Sequence, residues 1–440
     1  MSYQKKSISR NRGAAIITAV LFFVVISITM AIGLSSPVVR EYVTSRDFAK
    51  SKGAYYLSEA GNEDALYRIK NNKSIGAQEV ISLNGNYATT TITNTSATQK
   101  DIGSLGDIVL NTRRVKSTLT TSSGASFSYG VQAGDGGVLL QNSATITGSI
   151  FSSGPIIGAN NLITDTVISG GTTGLNGSIQ GIQNQGGSSM YAGTIRGSTI
   201  SGSAYCNTIS GSNKASCQPL AAQTAQPFPI GAQEIANYEA TALAGGTAVC
   251  SSGKYTISSS VNLGPKKIPC DLFINGTATG GGPVITLGGH VWVAGNINIK
   301  NHATLRIDPT LTGQSVVMVA DNPSGNLNSS TIGIEGSGLN FVGAPGGNSW
   351  ITLISENIGA SQGNPNEAIE LEEGAQGDII LYARLGDIKL KNNASVQEVT
   401  GYKITLKNSV NVTYATGLRN VLFTSSVGGS WTIQDWKEGQ

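Results

Sequence analysis

The chain is 440 residues long and carries a formal charge of +3; only 12% of its residues are charged, while 57 are glycine. Such a length holds two or three domains. Low charge, no long like-charge block, and aliphatic residues recurring among Ser, Thr and Asn exclude a disordered chain and point to an exported, mainly β protein with many turns.

From the N-terminus, Lys5, Lys6, Arg10 and Arg12 precede an apolar run from Ala14 to Leu34, and no charge falls between Arg12 and Arg40. At about 1.5 Å per residue, a helix of this length matches the roughly 30 Å hydrocarbon core of a bilayer. The basic flank keeps the N-terminus cytoplasmic and the bulk outside. The expected location is a single pass through the inner membrane, with the bulk extracytoplasmic, on a pilus or at the cell surface.

Two stretches carry a family resemblance. Arg12-Gly13-Ala14-Ala15-Ile16-Ile17, followed by the aliphatic helix, resembles the class III leader of type IV pilins and pseudopilins. Tyr55-Tyr56-Leu57-Ser58-Glu59-Ala60-Gly61 resembles the stretch after that helix in PilX-type minor pilins. The resemblance implies a leader over 1–13, cut after Gly13 and N-methylated at Ala14 by a prepilin peptidase. It also implies other pilins or pilus and secretion assembly proteins as partners. Thr18 stands at the fifth mature position, where filament-forming members carry Glu, and this implies a minor or tip subunit. The competing reading is a structural envelope protein with an uncleaved anchor.

Removing the leader takes four cations with it and brings the charge from +3 to about −1. A near-neutral body lacks the basic footprint of a nucleic-acid binder, and Arg113-Arg114 with Lys116 reads as the solvated face of a strand.

The helix is expected to continue to Lys70, giving a unit over 14–70, with Pro37 kinking it and Asn71-Asn72 and Gly76 ending it. Ala49, Gly53, Tyr56 and Ala60 form its expected packing seam. Over 71–125 the period changes to two, and a small antiparallel sheet is expected, with strands at Tyr87 to Thr93, Asp107 to Leu110 and Arg114 to Leu119.

Beyond this, one pattern recurs around Asn142, Asn301, Asn392 and Asn408: an aliphatic residue, a spacer, Asn, then alternating small and aliphatic residues. Asn tolerates the left-handed turn conformation, so the repeat predicts short strands stacked as a parallel β-helix, or β-solenoid. An alternative is a β-sandwich. The expected divisions are a first solenoid stretch over 126–204, a cysteine-containing connector over 205–246 with a short helix from Ala232 to Ala244, and a second stretch over 247–440. Ile235, Tyr238 and Leu243 are the helix's apolar positions. This region resembles the repetitive β-helical domain of bacterial surface proteins that carry a PilX-like N-terminus, including the closing Trp431 to Glu438.

Cys206, Cys217, Cys250 and Cys270 form neither a CxxC nor a Cys/His set at ligand spacing, so disulfides rather than metal are expected. Of three connectivities, neighbour pairing closes the shortest loops, each worth about 2 to 3 kcal/mol in the chain-entropy model. No metal or cofactor is expected, and no catalytic residue is assigned. The two histidines, His290 and His302, read as incidental, and no hydrolase, metalloprotease or nucleotide-loop motif occurs. Asp308, Glu335, Glu356, Glu370, Glu372, Glu373, Asp378 and Asp387 are the acids that a β-helix glycosidase would draw upon. They support an alternative reading as a cell-anchored carbohydrate-active enzyme. The leading expectation is a pilin-like surface protein that displays its solenoid for adhesion to a glycan or other surface ligand, or for assembly.

Overall fold

A computed structural model describes residues 12–70, 73, 75–96, 99–121, 124–276, 281–424 and 431–439. The leader through Asn11 and the Asn71-Asn72 helix stop lie outside the described residues. The chain divides into two units, residues 1–119 with 433–440, and residues 120–432.

The first unit is built on α1, Arg12–Lys70, which runs unbroken through Pro37. Its C-terminal half packs on an antiparallel sheet of β1 (Gln78–Leu83), β2 (Asn86–Ser96), β3 (Gln99–Ile108) and β4 (Asn111–Thr121). The buried helix face is Ala54, Leu57, Ser58, Asn62, Ala65 and Ile69, against Ala88, Ile102, Ser104, Val115 and Leu119. The expected seam is therefore displaced, since Ala49 and Ala60 are exposed and so is Tyr56. Close approach sets this choice. A Cβ on Gly61 would sit 2.5 Å from Ser104 Oγ, and one on Gly106 would sit 2.1 Å from the Ala54 carbonyl oxygen. The helix backbone thus meets the sheet's side chains at Gly61 and its backbone at Gly106, and Asn62 accepts a buried hydrogen bond from Ser117 at 2.8 Å.

Asp107 to Leu110 is not a strand of its own. Asp107 and Ile108 end β3, while Val109 and Leu110 turn the chain into β4 with φ of +48° and +67°. The closing segment also differs from expectation. Strand Trp431–Gly439 lies beside β4 as the fifth strand of this antiparallel sheet, not among the parallel strands.

The second unit is mainly parallel β. From Val131–Leu140 successive strands stack in one direction, through Ile156–Ile163, Ser178–Asn184 and Thr194–Arg196 to Thr208–Ser210. The later stretch begins at Lys254–Ile257 and stacks through Asp271–Asn275, Ile297–Lys300, Ile332–Glu335, Glu367–Leu371 and Ile379–Leu390 to Glu398–Leu406. That last strand then pairs with the first, Val399 with Val131 and Leu406 with Leu140. The two stretches are one stack entered in its middle. A second parallel sheet runs from Val261–Leu263 to Gln376–Gly377. Large parallel sheets are consistent with the expected solenoid, whereas a sandwich of hairpins calls for antiparallel ladders.

Inward aliphatic residues from both stretches form one continuous core, from Val131 to Val412. The Asn turns lie at its corners: Asn142, Asn301, Asn392 and Asn408 have φ of +47°, +44°, +53° and +60°. Three of them form a ladder in which Asn142 donates to Asn408 and Asn408 to Asn392, each at 2.8 Å. Disulfides join Cys206 to Cys217 and Cys250 to Cys270, at opposite ends of the stack. Next to the first, Asn213 exchanges side-chain hydrogen bonds with both the N–H and the carbonyl of Ile200, standing in for the next strand.

Helix α2, Ala232–Ala244, lies outside the stack. Its buried residues are Ile235, Tyr238 and Ala242, while Leu243 is exposed. Ile235 and Tyr238 join Phe127, Trp350, Leu418 and Phe423 in one cluster with the outward side chains Val317, Val319, Ile354, Ile380 and Tyr382. Strands Val316–Ala320 and Ile351–Ser355 are consequently buried on both faces.

Candidate functional site

The first candidate is the N-terminal half of α1. From Ile16 to Leu34 every described side chain is exposed, Phe23 by 75% and Leu34 by 72%. A helix apolar on all sides has no core to enter and suits hydrocarbon. Two of its hydroxyls are satisfied within the helix, as lipid favours: Thr29 donates to Val25 at 3.0 Å and Ser35 to Ala31 at 2.6 Å. Gly13 and Ala14 lie in the first turn, where only the backbone is described.

The outer face of the first unit's sheet forms an open groove of about 690 Å³ lined by Thr89, Thr91, Asp101, Arg114, Lys116 and Lys437, among others. Hydrogen bonds from Thr95 at 2.7 Å and Thr118 at 2.9 Å hold the Asp101 carboxyl below its usual range. Strand alternation splits the expected basic cluster. Arg113 faces the helix side, bonded to Ser51 at 2.7 Å and Glu438 at 3.0 Å, while Arg114 and Lys116 line the groove.

All but Glu373 of the carboxylates singled out by sequence are tied into the fold. Glu335 pairs with Lys300 at 2.8 Å. Lys391 bridges Glu370 and Glu372 at 2.5 Å each, so that acid run meets a lysine just past the end of the next strand instead of standing free. Arg384 grips Glu356 through two bonds, at 3.1 and 2.8 Å. Asp308 caps Thr310 at 2.9 Å, and Asp378 accepts from the Gly343 N–H at 3.0 Å. Asp387 pairs with Lys403 at 2.6 Å, and its burial outweighs that lysine and raises its carboxyl. Glu373 is exposed at a turn with φ of +60°. Among the described residues no group of three His, Cys, Asp or Glu could hold a metal.

His302 occupies its Asn turn with φ of +47°. His290 is not incidental but fully buried, accepting the Val317 N–H at Nδ1 (3.1 Å), its ring 5.0 Å from that of Tyr238. Burial pushes it down to about 4, against a hydrogen bond to the Thr424 backbone.

Two acids had no sequence signal. Glu398, 1% exposed, accepts from the Thr400 hydroxyl, and burial raises it well above the usual carboxyl range. Glu239 on α2 is half-buried with its Oε1 lacking a hydrogen-bond partner, and burial first, then the neighbouring Asp321, pushes its carboxyl up to about 8.

No family model matches the chain, and no curated protein matches it. Among solved structures, it is similar to the competence-associated pilin ComZ from Thermus thermophilus, at 13% identity over 89% of this chain and 97% of that one, with a TM-score of 0.38. That score is too low to establish a common fold, and the reading of function rests on the chain's own residues.

Proposed function

We propose that this is a membrane-inserted, pilin-like surface protein, a minor or tip subunit of a type IV pilus or related secretion filament. The observation that carries the reading is the composition of α1: one unbroken helix whose first half is apolar and exposed all round and whose second half is packed on a small antiparallel sheet. In this reading the first half anchors the protein and packs among partner helices, while the stacked parallel strands close into a β-solenoid displayed for adhesion or assembly. The protein then works by packing and display, without catalysis. Thr18 in place of a filament glutamate favours an accessory position.

Mass spectrometry of the native N-terminus tests it. The expected product begins at N-methylated Ala14. Recovery of the chain with Met1 intact in cells that possess a prepilin peptidase overturns the reading and leaves a plain membrane anchor.

A further inference from the structure

Gly103 lies in the middle of β3, where a Cβ would meet no atom within 4 Å. Packing accounts for Gly61 and Gly106, whose Cβ positions are filled by neighbours, but not for Gly103. Its backbone is not in the left-handed region either. Glycine inside a strand weakens it and often marks close approach by a ligand or another backbone. Here the open space belongs to the groove on the outer face of the first unit's sheet. We infer that this groove binds an acidic glycan, with a uronate ring seated over Gly103 and its carboxylate held by Arg114 and Lys116.

The flanking strands supply the two walls. Register sets Thr91 of β2 beside Gly103, with Thr89 and Thr93 two residues to either side, so a row of hydroxyls lines one wall. On the other side, the two-residue turn between β3 and β4 and the bond from Thr118 to Asp101 set Lys116 opposite Gly103, with Arg114 further along the same face.

The groove's own acids do not neutralise these cations. Asp101 is taken up by the hydroxyls of Thr95 and Thr118 at 2.7 and 2.9 Å, and Asp435 by Lys437 at 2.5 Å. Asp107, opposite Tyr87 in register, lies beyond the lining. Among the described residues neither Arg114 nor Lys116 has an ion-pair partner, whereas Arg113 on the other face is paired with Glu438. Two free cations beside a row of hydroxyls suit a ligand that carries a carboxylate among many hydroxyls. Other acidic ligands fit less well. A peptide strand adds to a sheet edge through its backbone, and this groove lies on the sheet's face. A nucleic acid would bring closely spaced phosphates against Asp101 and Asp435, with only two free cations to meet them.

Titration calorimetry of the full chain in detergent, with hexasaccharides of galacturonate and of hyaluronan as probes, tests the inference. At least one should bind with a Kd below about 1 mM, and its carboxyl-reduced form should not bind. Arg114→Gln with Lys116→Gln should weaken binding at least about tenfold by removing charge-assisted bonds. Gly103→Val, a residue that suits a strand, should abolish binding by filling the floor. No saturable binding of either probe, equal binding of the carboxyl-reduced form, or unchanged affinity in either variant overturns the inference. So does tighter binding of duplex DNA that depends on Arg114 and Lys116, which would assign the groove to phosphate. Should Gly103→Val fail to fold, the double charge variant, whose altered side chains are exposed, decides alone. The outcome is independent of the pilin reading, which the mass of the N-terminus tests.

Discussion

Asn142 donates its side-chain amide to Asn408 at 2.8 Å although 266 residues separate them in the chain. This bond lies at the joint where the last parallel strand meets the first, and it continues to Asn392 on the other side. Each residue meets two demands at once, a left-handed backbone and an amide aimed along the stack.

Replacing Asn408 separates those demands. Asn408→Gly keeps the backbone freedom and loses the ladder, a cost of about 1 kcal/mol. Asn408→Ala also puts into the left-handed region a residue that tolerates it less well than Asn, and should cost about 2 kcal/mol. Denaturant unfolding of the two variants should therefore differ, and equal losses would assign the whole effect to the amide.

The disulfides should act locally. Cys206 and Cys217 are 11 residues apart and Cys250 and Cys270 are 20, so removing either bridge by Cys→Ser should cost about 3 kcal/mol in its own end of the stack. Hydrogen exchange should accelerate over 204–218 in Cys206→Ser and over 250–275 in Cys250→Ser, with residues 388–412 protected in both.

Stability should fall on both sides of neutrality. His290 is held neutral, its folded value lowered to about 4 from 6.5, so its contribution is complete above 6.5 and is lost as pH falls to about 4. Glu398 is raised above its ordinary 4.5, so its contribution is complete below 4.5 and declines as pH rises. Unfolding midpoints against pH should become shallower on the acid side in His290→Asn and on the alkaline side in Glu398→Gln.

The turn at Val109 and Leu110 holds two bulky residues at positive φ, with Leu110 95% exposed. Val109→Asn with Leu110→Gly supplies the residues that a two-residue hairpin turn favours. The double variant should gain about 1 to 2 kcal/mol, read as a higher Tm of the first unit. A lower Tm would show that the pair is held by contacts that outweigh its strain.

What sequence could show was local. The apolar helix, the α2 segment and the Asn turns each follow from a period or a single residue's conformational range. The partner of each surface was harder to read. Ala49, Gly53, Tyr56 and Ala60 have the same spacing as the stripe that is buried, and only the sheet's approach at Gly61 and Gly106 decides between them. Val109 and Leu110 look like strand because β-branched and aliphatic residues favour strands, and here the turn prevails over that preference. Nothing local marks Val131 as the neighbour of Val399, since all the parallel strands share one aliphatic alternation.

Strand Trp431–Gly439 and β4 are neighbours in one sheet, and residues 122–430, nearly all of the larger unit, fill the interval between them in the chain. The larger unit is thus a parenthesis opened and closed within a single sheet. A protease that nicks it once leaves two fragments, each still rooted in the same five strands. Tension drawn from it enters the smaller unit through two neighbouring strands of one sheet.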